Sequence, residues 1–313
     1  MAYNNKKIVF LLLIIYLLNS KCFGDKKYFI NINQDNDYLS SGNKDRDYTF
    51  GSSVTFSIKS KSNVLSFSSG LFGFTPRKKQ QPSPVTSDRP YASLAYFNLN
   101  LLKIKTTSAA IKHTFSFGML GTNLMKNIQN NVHTEIGYSS VKGWKNQISH
   151  GGEPTLRYQF SIQKDLTLTK NHSNLIGNLS MSAGYLTQLK GSLYARIGRI
   201  TSPWWHFQPI ETTYGEKTIN LLADHSEYFL DFGIELTHRQ YNSMLQGQFK
   251  KSVLTLSSDE IHPVLFSAWI GLTFQYKKYV KLSYKNFFQT PEVKLKDSGR
   301  KMSWGNIELT MRF

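Results

Sequence analysis

Polar residues in three predicted loops could together carry out a hydrolysis. Asn36 and Asp37 provide an amide and a carboxylate oxygen in one loop, and His133 lies in another. Such oxygen atoms are the ligands that a hard cation such as Ca²⁺ prefers. A neutral histidine can take a proton from water, and a cation can stabilise the oxyanion that then develops. These residue types predict a calcium-assisted hydrolytic site if the fold brings the loops together.

The loop between these two is basic. It contains Arg77, Lys78 and Lys79, and it leads to the segment Asp-Arg-Pro-Tyr at 88–91. Each polar group also has an ordinary structural interpretation, because Asp and Asn are common turn residues and lysine runs usually lie in solvent. Segment 88–91 is also typical of a junction between loop and strand, with a local ion pair. The residue types alone leave both interpretations open.

The elements that must position these loops show an alternation of period two. In the last segment, 307–313, apolar and polar residues alternate, and the chain ends on Phe313. The same pattern occurs at 49–58, 155–162 and 228–237. It predicts β-strands, and a soluble β-sandwich would give a similar pattern. Export, a mature chain without cysteine, the terminal Phe and the number of strands favour a transmembrane antiparallel β-barrel.

About twelve strands are expected, an even number, as such barrels prefer. We place them near residues 27–36, 48–59, 62–72, 91–104, 109–119, 154–164, 175–190, 192–200, 226–239, 262–277, 279–290 and 302–313.

The connections differ in length between the two ends of the predicted barrel. With both termini in the periplasm, the outward connections are 37–47, 73–90, 120–153, a tight turn near Lys190, 240–261 and 291–301. The third outward loop should contain a short helix from Asn123 to Ile136, with Gly137 as its stop. Segment 201–225 is long but falls at the periplasmic end, and the pattern offers no reason for this length.

Residues 1–24 have the features of a secretory signal peptide. Lys6 and Lys7 precede an apolar run, Ile8 to Leu18, and small residues near Cys22 to Gly24 suggest a cleavage site. We expect cleavage after Gly24, with Ser20 as the alternative. The mature barrel domain would then be residues 25–313. It would contain no cysteine, since the chain has 1 Cys.

The chain is strongly basic, with a formal net charge of +18. Three of these charges lie in the predicted signal, which leaves +15 for residues 25–313. Export argues against a nucleic-acid partner. An anionic membrane surface such as lipopolysaccharide is the more natural partner.

An ordered set of short motifs resembles one known family, the outer-membrane lipid A 3′-O-deacylases (LpxR-like). Each motif is weak alone, but their order and spacing along nearly the whole mature chain are specific. They are Asn36-Asp37, the segment Asp45–Gly51, Asp88–Ala92, Gly118 with Gly121, Gln129 with His133 and Gly137, Gly143-Trp144 with Gln147, Leu245–Gly247, and Arg312-Phe313.

This resemblance implies a twelve-stranded barrel in the outer membrane of a Gram-negative bacterium that removes 3′-linked acyl chains from lipid A with Ca²⁺. Asn36 and Asp37 match the family's pair near the cation, and Thr49 matches its active-site threonine. His133 matches the presumed general base for water. Lys79, with Lys78 beside it, would hold a lipid A phosphate.

Two positions depart from the family's pattern. Gln80 stands where a family member has an arginine, and Ser139 stands where it has a glutamate six residues after the histidine.

A non-enzymatic barrel is the alternative function, either a lipopolysaccharide-binding protein or a small-solute pore. A lumen lined by charged residues could suit a pore; they are Asp231, Glu235, Arg239, Lys281 and Lys285. About twelve strands leave little open space, however. In either case we expect a monomer that is inserted by the barrel-assembly machinery.

Overall fold

A computed structural model describes residues 26–40, 47–77, 81–135, 137–168, 172–207, 221–297, 299 and 301–313. Within them, twelve antiparallel strands form one closed barrel in which each strand pairs with its chain neighbours and β1 pairs with β12. The predicted fold class is confirmed. The predicted signal peptide, 1–24, lies outside the described residues.

The strands follow the predicted order. Their bounds are β1 Lys27–Asn36, β2 Tyr48–Ser60, β3 Asn63–Phe74, β4 Ala92–Thr106, β5 Ala109–Leu120, β6 Glu153–Asp165, β7 Ser173–Gly184, β8 Leu186–Arg199, β9 Glu227–Asn242, β10 Val264–Tyr276, β11 Val280–Gln289 and β12 Met302–Arg312. A helix, α1, spans Leu124–Glu135, close to the predicted bounds, and a short helix, α2, spans Ser243–Gln246. None of the described helices could span a membrane.

The predicted turn near Lys190 was wrong. The chain reverses at Tyr185, because β7 ends at Gly184 and β8 begins at Leu186. Gly184 has φ of +129°, a backbone conformation that favours glycine. Lys190 instead lies inside β8, where its ammonium is 3.1 Å from the carboxylate of Glu235.

Strand β12 shows which side of the sheet is apolar. Ile307 is exposed on the outer surface, whereas Asn306, Glu308 and Thr310 are buried inside. A soluble sandwich would bury the apolar parity and expose the polar one, so this inversion fits a sheet whose outer face contacts lipid. The backbone N–H of Phe313 donates to Tyr28 O at 3.1 Å, so the terminal aromatic residue completes the seam between β12 and β1.

The lumen is packed with polar and charged side chains. All five of the predicted lumen residues are buried: Asp231, Glu235, Arg239, Lys281 and Lys285. Lys285 Nζ lies 3.1 Å from Asp231 Oδ1. A buried charge needs an opposite charge or hydrogen-bonding partners, and this ion pair offsets the cost of burying Lys285 and Asp231.

The long connection between β8 and β9 turns back into the barrel. Its described parts, 200–207 and 221–226, form what we call the inner plug. Arg196 on the lumen wall donates to Ser202 Oγ at 2.7 Å and to Ser202 O at 2.9 Å. Gln275 accepts from Ala223 N at 3.1 Å and donates to Ala223 O at 3.0 Å. These described parts of the connection lie inside the end of the barrel that carries both termini.

An exposed ion-pair group ties the inner plug to the barrel seam. Asp224 accepts from Lys27 Nζ of β1 at 2.9 Å and from Arg312 Nη1 of β12 at 2.6 Å. These side-chain hydrogen bonds from Lys27 and Arg312 hold the pKa of Asp224 below its usual value.

His206 of the inner plug is buried among cations. Its Nε2 lies 3.1 Å from Lys59 Nζ, so a neutral imidazole accepts a hydrogen bond from the ammonium. Burial, and then the charges of Lys59, Lys281, Arg196 and Lys27, hold the pKa of His206 well below its usual value. The imidazole of His206 therefore resists protonation in the docked plug at a pH at which a solvent-exposed imidazole binds a proton.

We predict that the inner plug undocks more easily as the pH falls below about 6.5, the ordinary histidine pKa. The undocked state then binds a proton that the docked state does not, so docking weakens as the pH decreases. Amide hydrogen exchange over residues 202–207, corrected for intrinsic rates, should increase between neutral and mildly acidic pH. His206→Gln should remove most of this increase, and an equal increase in that variant would contradict the prediction.

Candidate active site

Helix α1 lies on the outer, lipid-facing side of the barrel wall. Gly73 belongs to the outward parity of β3, and a Cβ there would lie 2.6 Å from Met125 Cγ of α1. The helix thus packs directly against the β3 backbone, and the glycine makes this close approach possible. We call the surrounding cluster the helix seat; it consists of Leu71, Tyr91, Met125, Val141 and Trp144, with Phe50 and Ala95 packed against it.

Two hydrogen bonds fix α1 to the segment that follows it. Gln129 Oε1 accepts from the indole N–H of Trp144 at 2.7 Å, and both side chains are buried. Asn130 Oδ1 accepts from Val141 N at 2.8 Å. The Trp144 ring packs on Tyr91, with centroids 5.2 Å apart. These contacts set the rotation of α1, and with it the direction of His133.

His133 is half-buried, and its tautomer is set by a backbone oxygen. Nδ1 lies 3.0 Å from Ser139 O, a carbonyl that can only accept, so Nδ1 carries the proton. Nε2 of the neutral ring then keeps its lone pair, as a general base requires. The chain returns to His133 through Gly137, which has φ of +79°, and through a bond from Tyr138 N to His133 O at 2.7 Å. The backbone carbonyl of Ser139 therefore orients His133, and this contact does not depend on the side chain at position 139.

Asn36 and Asp37 lie at the end of β1, on a short 3-10 turn, Asp37–Leu39. Asn36 Oδ1 accepts from Tyr38 N at 2.7 Å, and Asp37 Oδ1 accepts from the same N–H at 2.9 Å. The Asp37 carboxylate is buried, whereas Asn36 is half-buried. The neighbouring Asp35 points into the lumen, where it accepts from Tyr48 OH at 2.7 Å.

Strict alternation along β2 would place Thr49 on the same inward parity as Ser53 and Thr55, but the strand is irregular at this residue. The register shifts between Tyr48 and Phe50, so one extra residue is inserted there. Tyr48 takes the inward position and Phe50 packs on the helix seat. Thr49 lies between them, and its hydroxyl is 2.8 Å from Thr75 Oγ1.

The structure brings most of the predicted residues to one region. Asn36, Asp37 and Thr49 end or begin the adjacent strands β1 and β2, at the end of the barrel opposite the termini. Helix α1 places His133 on the same side of the barrel, because the helix seat packs against Phe50 of β2. The basic residues Lys78 and Lys79 lie outside the described residues.

The donor set fits a hard cation in its chemistry. Asp37 supplies a carboxylate and Asn36 an amide oxygen, which are Ca²⁺ ligands. Among the described residues, no group of three or more His, Cys, Asp or Glu is arranged to hold a metal ion. A cation at Asp37 would therefore need amide, backbone carbonyl or water oxygens for the rest of its shell.

A buried ionic cluster joins three elements at the same end, and the sequence did not reveal it. Arg89 Nη1 donates to Glu292 Oε2 at 3.3 Å, and Arg239 Nη1 donates to Glu292 Oε1. Arg89 also lies over the Phe74 ring, 3.8 Å from its centroid. The expected ion pair within 88–91 is thus not local, since Arg89 pairs with a residue of the last loop. Asp88 instead accepts from the backbone N–H of Arg77 at 2.7 Å.

Comparisons with known proteins identify the family and the fold. Residues 8–313 match the model of a family described as outer membrane protein LpxR. The fold is similar to that of LpxR from Salmonella typhimurium, at a TM-score of 0.77 and 20% identity, over 91% of this chain and 100% of that one. The KdgM porin aligns at a TM-score of 0.41 and 9% identity, over 91% of this chain and 99% of that one. No curated protein sequence matches this chain.

We predict that Gln129→Leu loosens α1 from the barrel wall. The buried indole N–H of Trp144 would lose its acceptor, a loss that costs about 1–3 kcal/mol. Amide exchange over residues 124–135 should become faster, and Gln129→Glu, which keeps an acceptor, should change it less. Combining Gln129→Leu with Trp144→Phe should recover part of the loss. Unchanged exchange in Gln129→Leu would show that this bond does not hold the helix.

Proposed function

This chain belongs to the LpxR family of outer-membrane lipid A deacylases, and we propose that it hydrolyses the 3′-linked acyl esters of lipid A with His133 as the general base. The observation that carries this proposal is the position of His133. It lies on a helix packed against the lipid-facing wall, with Nδ1 held by Ser139 O at 3.0 Å. Nε2 is therefore the nitrogen that can accept a proton.

The location of the site suits a substrate that is itself a membrane lipid. Lipid A could reach the helix seat by moving sideways within the outer leaflet, without entering the lumen. A site above the lumen would require the lipid to leave the bilayer. The outward position of α1, set by its contact with Gly73, supports the lateral route.

The proposed reaction is a hydrolysis by water. His133 Nε2 takes a proton as the water oxygen bonds to the ester carbonyl carbon, and the carbonyl oxygen becomes negative. When the intermediate collapses, the bond between the carbonyl carbon and the 3′-oxygen of the sugar breaks, and the imidazolium returns the proton to that oxygen. The products are a free fatty acid and a lipid A with a free 3′-hydroxyl group. Ser139 O stabilises the Nδ1–H of the imidazolium that forms in between.

Asn36, Asp37 and Thr49 would act on the oxygen side of the reaction. Asp37 and Asn36 would hold Ca²⁺, which supplies positive charge for a developing oxyanion. Thr49 presents a hydroxyl at the same rim, and its bond with Thr75 fixes the position of that hydroxyl.

The remaining parts of the proposal come from the sequence. Lys79, with Lys78, would bind a phosphate of lipid A as a point charge. Residues 1–24 would be removed on export, and residues 25–313 would be inserted by the barrel-assembly machinery as a monomer.

A small-solute pore finds no support in the described part of the lumen. Trp204, Phe207 and Leu221 of the inner plug are buried there. Lys281, which could have lined a channel, instead donates to Leu221 O at 2.5 Å. The inner plug therefore binds a lumen side chain, Lys281, that would be exposed to water in a conducting pore.

We predict that His133→Ala abolishes 3′-deacylation while the barrel still assembles, because the base is lost and His133 lies in a loop helix outside the barrel strands. Mass spectrometry of lipid A from expressing cells measures the reaction, and heat-modifiable gel mobility measures assembly. His150→Ala is the matched control, since His150 is an exposed histidine in the same loop. Full deacylation by His133→Ala would exclude it as the base.

We predict that excess chelator stops the reaction and that added Ca²⁺ restores it. Asp37→Asn should raise the Ca²⁺ concentration needed for half-maximal activity by at least about tenfold, because a carboxylate ligand is replaced by a neutral amide. Asp259→Asn, at an exposed aspartate in another loop, is the control. Undiminished activity in chelator would remove the cation from the mechanism.

A further inference from the structure

Helix α1 carries an apolar stripe that is exposed beside the helix seat. Leu124, Ile128 and Val132 are spaced four residues apart, so they lie along one side of the helix. Their exposed fractions are 53%, 38% and 49%. The polar residues Lys126 and Asn127 are exposed on other faces. A stripe of this size on a helix in water would be unfavourable, because it hydrates apolar surface that a small rotation could bury.

The stripe continues the lipid-facing surface of the barrel. The outward parity of β5, the strand that leads into α1, exposes Phe117 and Met119. On the neighbouring β4, Phe97 is exposed with the same parity. Because Met125 seats the helix on outward Gly73, the stripe lies on the same side of the wall as these residues. What covers Phe117 and Met119 in an outer membrane is lipid.

We propose that α1 is an interfacial helix whose stripe of Leu124, Ile128 and Val132 is immersed among the acyl chains of the outer leaflet. Its polar face would then lie among the headgroups. This is the arrangement of amphipathic helices that lie in the plane of a membrane surface. The exposed aromatic Tyr138, just beyond the end of α1, suits the headgroup level.

Immersion would fix the depth of the reaction, a consequence that rests on the proposed function. The scissile ester lies where the acyl chains meet the sugar, which is the boundary that an interfacial helix occupies. His133 lies one residue after Val132, so the depth of the stripe sets the depth of the imidazole. Leu124, Ile128 and Val132 are thus positioning residues, which touch lipid rather than the reacting atoms.

Spin labelling tests immersion without reference to catalysis. Labels would be attached at Ile128→Cys, at Asn127→Cys and at the lipid-facing reference Phe117→Cys of residues 25–313, which contain no other cysteine. The protein would be placed in phosphatidylcholine vesicles that contain lipopolysaccharide. The ratio of collisions with oxygen to collisions with a water-soluble nickel complex should be at least about threefold higher at 128 than at 127 and close to that at 117. A ratio at 128 equal to that at 127 would overturn the proposal.

Activity provides the second test. Leu124→Ser, Ile128→Ser and Val132→Ser combined should slow deacylation in membranes by about tenfold but leave it within about twofold in detergent micelles, which have no fixed depth. Lys126→Ser and Asn127→Ser combined are the matched control on the polar face. If the apolar triple variant fails to assemble, Ile128→Ser alone is measured. An equal loss in membranes and micelles would overturn the positioning role.

The two proposals fail in different ways. If the unmodified protein leaves lipid A unchanged, the proposed reaction is wrong, while the spin-label ratios still decide whether α1 is immersed. If the protein deacylates lipid A but position 128 collides freely with the nickel complex, the reaction stands and the immersed helix is wrong.

Discussion

Lipid offers no hydrogen-bond partners to a polypeptide backbone, and this constraint organises the molecule. A sheet in a bilayer must close on itself, which β1 and β12 achieve through a register that runs from Phe29 with Arg312 to Asn36 with Gly305. Because the outer face of the closed sheet contacts lipid, the usual polarity of a protein is inverted, and leucines and phenylalanines lie outside. Polar and charged side chains fill the interior, where each charge requires a partner, as Lys285 finds in Asp231.

A filled interior leaves the outer wall and the loop end as places for chemistry. The inner plug closes the end with the termini, and the cluster of Arg89, Arg239 and Glu292 ties loops together at the other end. Helix α1 therefore docks on the outside, on a wall made flat enough by Gly73. A catalytic group placed there meets lipid directly, which is the physical link between this barrel and a reaction on a membrane lipid.

The orientation of His133 illustrates how backbone geometry can replace a side chain. This chain has Ser139 six residues after the histidine, and the backbone carbonyl oxygen of that residue accepts from Nδ1. The turn through Gly137 makes this return possible, because its positive φ lets the chain reverse after the helix. The serine at 139 is thus compatible with a properly oriented base.

Alternation along the chain predicted most of the strands and the helix near His133, because periodicity is a local property of neighbouring residues, but it did not show which parity faces outward. Tertiary structure decided the rest. One inserted residue near Thr49 changed which side chain points inward, and a turn at Tyr185 rather than Lys190 moved a lysine into the lumen. A one-residue shift reverses every side chain that follows, and alternation alone does not locate it. The pairing of Arg89 with Glu292 and the inward course of the inner plug join residues far apart in the chain, so only closure of the barrel could reveal them.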